Sequence, residues 1–364
     1  MKAAFAYLEA AYQDPYLLSS IGDNPFVSQM ERVLERFLGF RDNRVIAVSS
    51  ATAGLVAVLR ALGVGPGDEV ITSCFGWGQT LNAVIEVGAI PVLVDVTTDG
   101  INPDIAQIRR AITERTAAIL APELSGIPLD WVKLSKISKN HNIPVVVDAA
   151  QSFGAIHRGP MPTAVVFSFG RGKLVYAGEG GAIATTCAPL YDALLIATQH
   201  PIRTMQELRE DIPLKSLDSV VPNCRIHPFA ATLATEGVLK LNKRLHTYQT
   251  LIEEIREALC RNGFRPVHIP KGERQAPPFI PVLSDSEEDL KEFCLENGWK
   301  VSRTTGILLA ETETVLTRHY LPAIRRLGFQ TRQIDIRLNN CPNARRNVKR
   351  TFLVLPTYDD YEEE

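Results

Sequence analysis

From Val45 to about Thr185, short apolar runs rich in β-branched residues alternate with stretches of helical periodicity. Val45-Ile46-Ala47-Val48 reads as a strand buried on both faces. The next segment carries Leu55, Val58, Leu59 and Leu62 at i, i+3, i+4 and i+7, one face of a helix. Gly63-Val64-Gly65-Pro66-Gly67 stops that helix. Further strands are predicted at Glu69–Thr72, Pro91–Val94, Ala117–Ala121, Pro144–Val147, Ala164–Phe167 and Gly181–Thr185, with helices such as Pro103–Ile112 and Asp130–Asn140 between several of them. Continuous apolar strands separated by helices predict an α/β three-layer sandwich, with a mostly parallel sheet covered on both faces.

After about Leu241 the pattern changes. A long charged helix is predicted from His246 to Asn262, and a strand at Pro278–Leu283. Ser284-Asp285-Ser286-Glu287 fits a capping box that opens a helix running to Asn297, ended by Gly298. The last apolar strand is Phe352–Leu355. The chain therefore divides into residues 1–240, an N-terminal arm and a large α/β domain, and residues 241–364, a smaller α+β domain.

Composition narrows the function classes. The 364 residues carry a formal charge of −2, 45% hydrophobic and 22% charged residues, the balance of a folded globular protein. Near-zero charge gives no reason to expect nucleic acid. No apolar run reaches the length of about 18 needed to span a membrane, and Met1 to Pro15 lacks the apolar core of a signal peptide. The six cysteines are dispersed, without C-x-x-C or histidines at metal spacing, so no metal site is expected and a reducing cytoplasm is.

Ligands of open α/β sheets gather at the carboxyl ends of the strands. After the first strand, Ser49-Ser50-Ala51-Thr52-Ala53-Gly54 opens a helix whose N–H groups and hydroxyls can hold a phosphate; an ordinary N-cap accounts for the same residues. Trp77 begins the helix after the second strand, as a stacking platform or a core residue. Asp148 ends Pro144–Val147 and needs a partner: a protonated ring nitrogen suits it, and so does a turn that it caps. Lys173 lies in the glycine-rich Ser168-Phe169-Gly170-Arg171-Gly172-Lys173, where a lysine of lowered pKa can form an imine. A nucleotide P-loop is excluded, because Phe167 and Leu174 stand where it needs a glycine and a Ser or Thr. Phosphate cup, aromatic platform, carboxylate and lysine, in that order, are the parts that hold pyridoxal 5′-phosphate.

These segments, with Gly65-Pro66-Gly67-Asp68-Glu69-Val70, Gly88-Ala89-Ile90-Pro91-Val92, Asp148-Ala149-Ala150-Gln151, Gly178-Glu179-Gly180-Gly181 and Asn223-Cys224-Arg225, resemble the DegT/StrS family of pyridoxal-phosphate-dependent aminotransferases. The resemblance runs from about Asn24 to Pro356. It implies the aspartate-aminotransferase fold type I, and amino transfer to keto sugars or related biosynthetic intermediates. It implies that Lys173 forms the Schiff base, Asp148 pairs with the pyridine nitrogen, Gln151 lies near the phenolic oxygen and Trp77 stacks on the ring. Thr52, Ser168 and the backbone of Ala51 and Ala53 would hold the phosphate. Asn223 would reach the phosphate of a neighbouring subunit, which implies a homodimer with shared sites. The small-molecule partners would be an amino donor, most often glutamate, and a keto acceptor. The alternative keeps the cofactor and changes the reaction to elimination, decarboxylation or cyclisation.

The chain departs from the family pattern at Gly170-Arg171-Gly172 and at Glu123-Leu124-Ser125-Gly126, where many members have H-L-Y-G. Glu123, Arg171 and Arg225 are accordingly candidate substrate contacts. The basic residues Arg325, Arg326, Arg332, Arg337, Arg345, Arg346, Lys349 and Arg350 form either an anion site or a solvated face.

Overall fold

The computed structural model describes residues 2–19, 21–40, 44–208, 223–304, 307–308, 337–338 and 341–356. Two helices, α1 (Lys2–Gln13) and α2 (Pro25–Leu38), precede an alternation of strands and helices. The strands are β1 (Val45–Val48), β2 (Glu69–Ser73), β3 (Phe75–Gly76), β4 (Ile90–Val94), β5 (Thr116–Pro122), β6 (Val145–Asp148), β7 (Ala164–Ser168) and β8 (Gly181–Ala184). The helices among them are α3 (Ala51–Ala61), α4 (Gly78–Glu86), α5 (Ile105–Ala111) and α6 (Trp131–His141), followed by α7 (Ala188–Thr198) and α8 (Pro201–Glu207). The long helix α9 (Pro228–Arg261) leads to β9 (Arg265–Pro266), β10 (Ile280–Leu283), α10 (Glu287–Glu296), β11 (Lys300–Arg303), β12 (Ile307–Leu308), β13 (Arg337–Leu338), α11 (Pro342–Arg350) and β14 (Thr351–Leu355).

The large sheet has the order β1-β8-β7-β6-β5-β2-β4-β13. All its pairings are parallel except those of β8, which runs antiparallel to both β1 and β7. Alternation along each strand feeds two cores. Val45, Ala47, Ile119, Val145, Val147 and Val165 pack with α2, α6 and α9 on one face. Ile46, Val48, Ala118, Leu120, Val146 and Val166 pack with α3, α4 and α7 on the other. The three-layer α/β arrangement predicted from the apolar runs is therefore the one observed.

A second sheet, β11-β14-β10-β9, is covered by α10 and the end of α9, with Ile252, Ile255, Ile280, Val282, Leu290 and Val354 in its core. Helix α9 has 34 residues, twice the stretch predicted from charge, and it passes through residue 240. Its first half buries Ala231, Thr232, Ala234, Thr235 and Val238, small residues without a clear apolar stripe, and these escape a search for amphipathic periodicity. No helix among the described residues is long and apolar enough to cross a membrane.

Candidate active site

The carboxyl ends of the parallel strands bring most of the candidate residues together. Asp148 is the last residue of β6, and Ser168 is the last of β7. A tight turn follows β7, in which the Lys173 N–H donates to Gly170 O at 3.3 Å and the Ala177 N–H to Phe169 O at 2.9 Å. The turn aims Lys173 into a cavity of about 300 Å³. Trp77, Ser125, Gln151, Ser168, Arg171 and Leu174 share its wall with Phe279, Ser302 and Leu353 from the C-terminal region.

Asp148 is buried and accepts from Thr80 Oγ1 at 2.6 Å and the Ala150 N–H at 3.1 Å. Burial pushes its carboxyl above the usual range, while Thr80, Ala150 and the nearby Lys173 pull it back. Burial lowers the Lys173 pKa, and Asp148 opposes that shift. The two groups thus influence each other's charge. Trp77 caps α4 and leaves half of its surface exposed, a face open for stacking. Gln151 Oε1 accepts from the Ser125 N–H at 2.9 Å, which fixes the amide beside Asp148.

The phosphate cup is built by close backbone approach. Ser50 caps α3 by accepting from the Ala53 N–H at 3.1 Å, and a helix leaves its first N–H groups without partners of its own. Gly181 pairs with Val48 on one side and Ser168 on the other, which draws Ser168 toward the start of α3. A Cβ on Gly181 would meet Ala51 N and the Ser50 carbonyl carbon at 2.7 Å, so only glycine permits this contact. The first-turn amides of Ala51, Thr52 and Ala53 form the anion-favouring end of the helix.

Two candidates are not among the residues that line the cavity. The Ser49 N–H donates to Cys224 O at 2.7 Å, which lays Asn223 and Arg225 beside the same helix start. Asn223 is exposed and accepts from Arg225 Nε at 2.8 Å, and Arg225 Nη1 is buried without a hydrogen-bond partner among the described residues.

Glu123 does not face the cavity. It is 1% exposed. Its carboxylate accepts from the Leu129 N–H at 2.9 Å, Trp131 Nε1 at 3.0 Å and Ser152 Oγ at 2.5 Å. His157 Nε2 lies 3.5 Å away. These donors fill the oxygens, so Glu123 braces the loops that carry Ser125 and Gln151 and is not a substrate contact. Of the basic cluster, Arg325, Arg326 and Arg332 lie outside the described residues. Arg346 donates to Thr98 O at 3.0 Å, and Arg350 pairs with Asp285. Sequence reasoning missed Thr80, although it stands one helical turn after Trp77. It also missed Phe279, Ser302 and Leu353, which only tertiary packing brings to the cavity.

The residues present fit pyridoxal phosphate: a glycine-dependent cup at a helix N-terminus, a buried acceptor for a ring nitrogen, an exposed indole face and an amine of lowered pKa. Fold and site together have the make-up of a fold type I pyridoxal-phosphate protein. The DegT/DnrJ/EryC1/StrS aminotransferase family matches residues 16–364, and the chain belongs to it. The spore coat polysaccharide biosynthesis protein SpsC of Bacillus subtilis is 33% identical over 184 residues, 50% of this chain and 47% of that protein. The chain thus aligns with about half the length of that relative. An aminotransferase of the same family from Brucella abortus has a TM-score of 0.76 at 23% identity, covering 98% of this chain and 90% of that one. A 3-amino-5-hydroxybenzoic acid synthase has a TM-score of 0.74 at 22% identity, with 98% and 90% covered.

Proposed function

We propose that the protein transfers an amino group from an amino acid, glutamate in the first place, to a keto group of a sugar, cyclitol or related biosynthetic intermediate. The observation that carries this is a cavity lined by Lys173, whose amine the buried Asp148 carboxylate influences, beside a helix start stripped of side-chain bulk by Gly181. When bound, the cofactor supplies an aldehyde that takes up an amine and a ring that withdraws electrons from the bonds at the substrate carbon.

The chain's own residues have distinct tasks. Ser168, Thr52 and the α3 amides anchor the phosphate. Asp148 keeps a proton on the ring nitrogen, and Thr80 holds the carboxylate in place. Trp77 covers one face of the ring, and Gln151 orients its oxygen edge. Lys173 Nζ, whose charged form burial disfavours, carries the cofactor and then moves a proton at the substrate Cα. Arg171 and Arg225 offer cations to an anionic substrate group. The exposed Asn223 suits a role in a homodimer with shared sites, working in the cytoplasm. The expected division at residue 240 falls inside α9, and β13 from the later part joins the large sheet, so the cofactor-binding part would draw on both.

Borohydride reduction followed by peptide mapping tests the central assignment. The cofactor label is expected on Lys173. Lys173→Ala should lose both the label and glutamate-driven amino transfer while keeping its circular dichroism. A label at another position, or turnover in that variant, overturns the reading. Donor-driven conversion of the cofactor to its amine form distinguishes transfer from elimination or decarboxylation.

A further inference from the structure

Away from the cavity, Cys74, Asp95 and Cys341 form a buried cluster where the large sheet meets α11. Cys74 directly follows β2, Asp95 directly follows β4, and Cys341 caps α11. Their ligand atoms lie within 4.8 Å of one another. Asp95 Oδ1 accepts from Cys74 Sγ at 3.8 Å, and backbone groups engage both carboxylate oxygens. Its Oδ1 accepts from the N–H groups of Val96 at 2.9 Å and Ala344 at 2.8 Å, and its Oδ2 from that of Asn343 at 2.8 Å. These bonds fasten α11 to the sheet and give the carboxylate a structural task. The two sulfurs are the remaining groups of the cluster with chemistry to offer.

We propose that Cys74 and Cys341 are an oxidisable pair, closing to a disulfide that cross-links the large sheet to the C-terminal helix. The thiols are 0% and 2% exposed, so the fitting oxidant is one of water's size, hydrogen peroxide. Cys341 stands at the N-terminus of α11 beside the Cys74 thiol, whose hydrogen bond favours a thiolate at Cys341, with a smaller contribution from Arg345, so its sulfur is the attacking group. That sulfur attacks one peroxide oxygen, the O–O bond breaks, and the departing hydroxide takes up the Cys341 proton as water, leaving a sulfenic acid on Cys341. Cys74 sulfur then attacks the Cys341 sulfur and the S–O bond breaks. The Cys74 proton leaves with the second hydroxide as water. Two thiols lose two electrons in total, and one peroxide becomes two waters.

The position of the bond gives it a consequence. Residue 74 leads through β3 to Trp77, and α11 leads into β14 with Leu353. Trp77 and Leu353 both line the active cavity, so the cross-link ties together the supports of two of its walls.

The test treats the full-length, cofactor-loaded protein with hydrogen peroxide. Alkylation in denaturant and digestion without reductant follow. The exposed Cys187 and Cys260 report that oxidant was present. A linked peptide pair containing Cys74 and Cys341 is expected, with a melting temperature raised by a few degrees and restored by dithiothreitol. Cys341→Ser, or Cys74→Ala if the first variant folds poorly, should lose the link and the shift. Oxidised Cys187 and Cys260 beside fully alkylated Cys74 and Cys341 overturn the proposal. So does stoichiometric zinc in the purified protein that disappears in Cys341→Ser, since the cluster would then be a metal centre.

Discussion

Three parallel strands of the large sheet, β4, β5 and β6, end in or run into an acid, and the three acids do different things. Asp95 after β4 takes three backbone N–H bonds and clamps α11. Glu123 after β5 takes bonds from Leu129, Trp131 and Ser152 and braces two loops. Asp148 at the end of β6 takes, among the described residues, only Thr80 and Ala150, and Lys173 lies close enough to lower its pKa. A saturated carboxylate has no lone pairs left for a ligand, whereas Asp148 keeps acceptor capacity in a setting that makes its charge costly without a cation. The strand-then-acid pattern is the same in all three places. What separates a brace from a candidate cofactor partner is how many donors the rest of the fold delivers to it.

Exchanging the charges one at a time should split the acids most sharply. Asp148→Asn is expected to lower amino transfer by at least ~100-fold, because an amide cannot hold the ring nitrogen protonated. Its melting temperature should stay close to that of the parent. Asp95→Asn should do the reverse, losing about 1–3 kcal/mol of stability while the folded fraction keeps its turnover. Steady-state kinetics and thermal melts on the same two preparations check both halves. Equal kinetic losses in the two variants would erase the distinction.

This contrast also explains what could be read in advance. Lys173, Asp148, Trp77 and the Ser50–Ala53 helix start were legible because each follows a strand directly, and strand ends converge in a parallel sheet. The sheet itself was legible because two-sided burial writes unbroken apolar runs. Glu123 was misread as facing the substrate, since its donors lie at positions 129, 131 and 152 and nothing local announces them. Phe279, Ser302 and Leu353 were invisible for the same reason. They reach the cavity through the packing of the second sheet. The first half of α9 was hidden because small residues leave no stripe when a helix is covered on several sides.

Gly181→Ala probes the cup without touching any acid. The added methyl group would meet the Ala51 amide nitrogen and the Ser50 carbonyl carbon at 2.7 Å, and Phe167 O at 2.8 Å. Backbone on every side leaves no room to yield, so the helix start must shift away from Ser168. Cofactor affinity, read from fluorescence quenching on titration, should fall by roughly tenfold or more. Glu123→Gln is expected to act more mildly and through stability. The amide retains one acceptor oxygen but turns an NH₂ toward groups that donate, at a cost of about 1–3 kcal/mol. Urea unfolding should show this shift, with KM for the amino donor changed little.

The smallest expected effect belongs to His157, the ring beside Glu123. It stacks on Trp131 with centroids 3.7 Å apart and planes 6° from parallel. Burial lowers its pKa below the usual 6.5, and Glu123 only partly offsets this. The unfolded chain therefore binds a proton at this residue before the native state does. By linkage, native stability rises with pH through the window just below 6.5 and falls as the solution is acidified through it. Replacing His157 with Gln removes the titrating group and should flatten the dependence of melting temperature on pH between about 5 and 7. If the slope in that range survives the substitution, the acid sensitivity arises elsewhere, and the brace around Glu123 is indifferent to protonation of its neighbour.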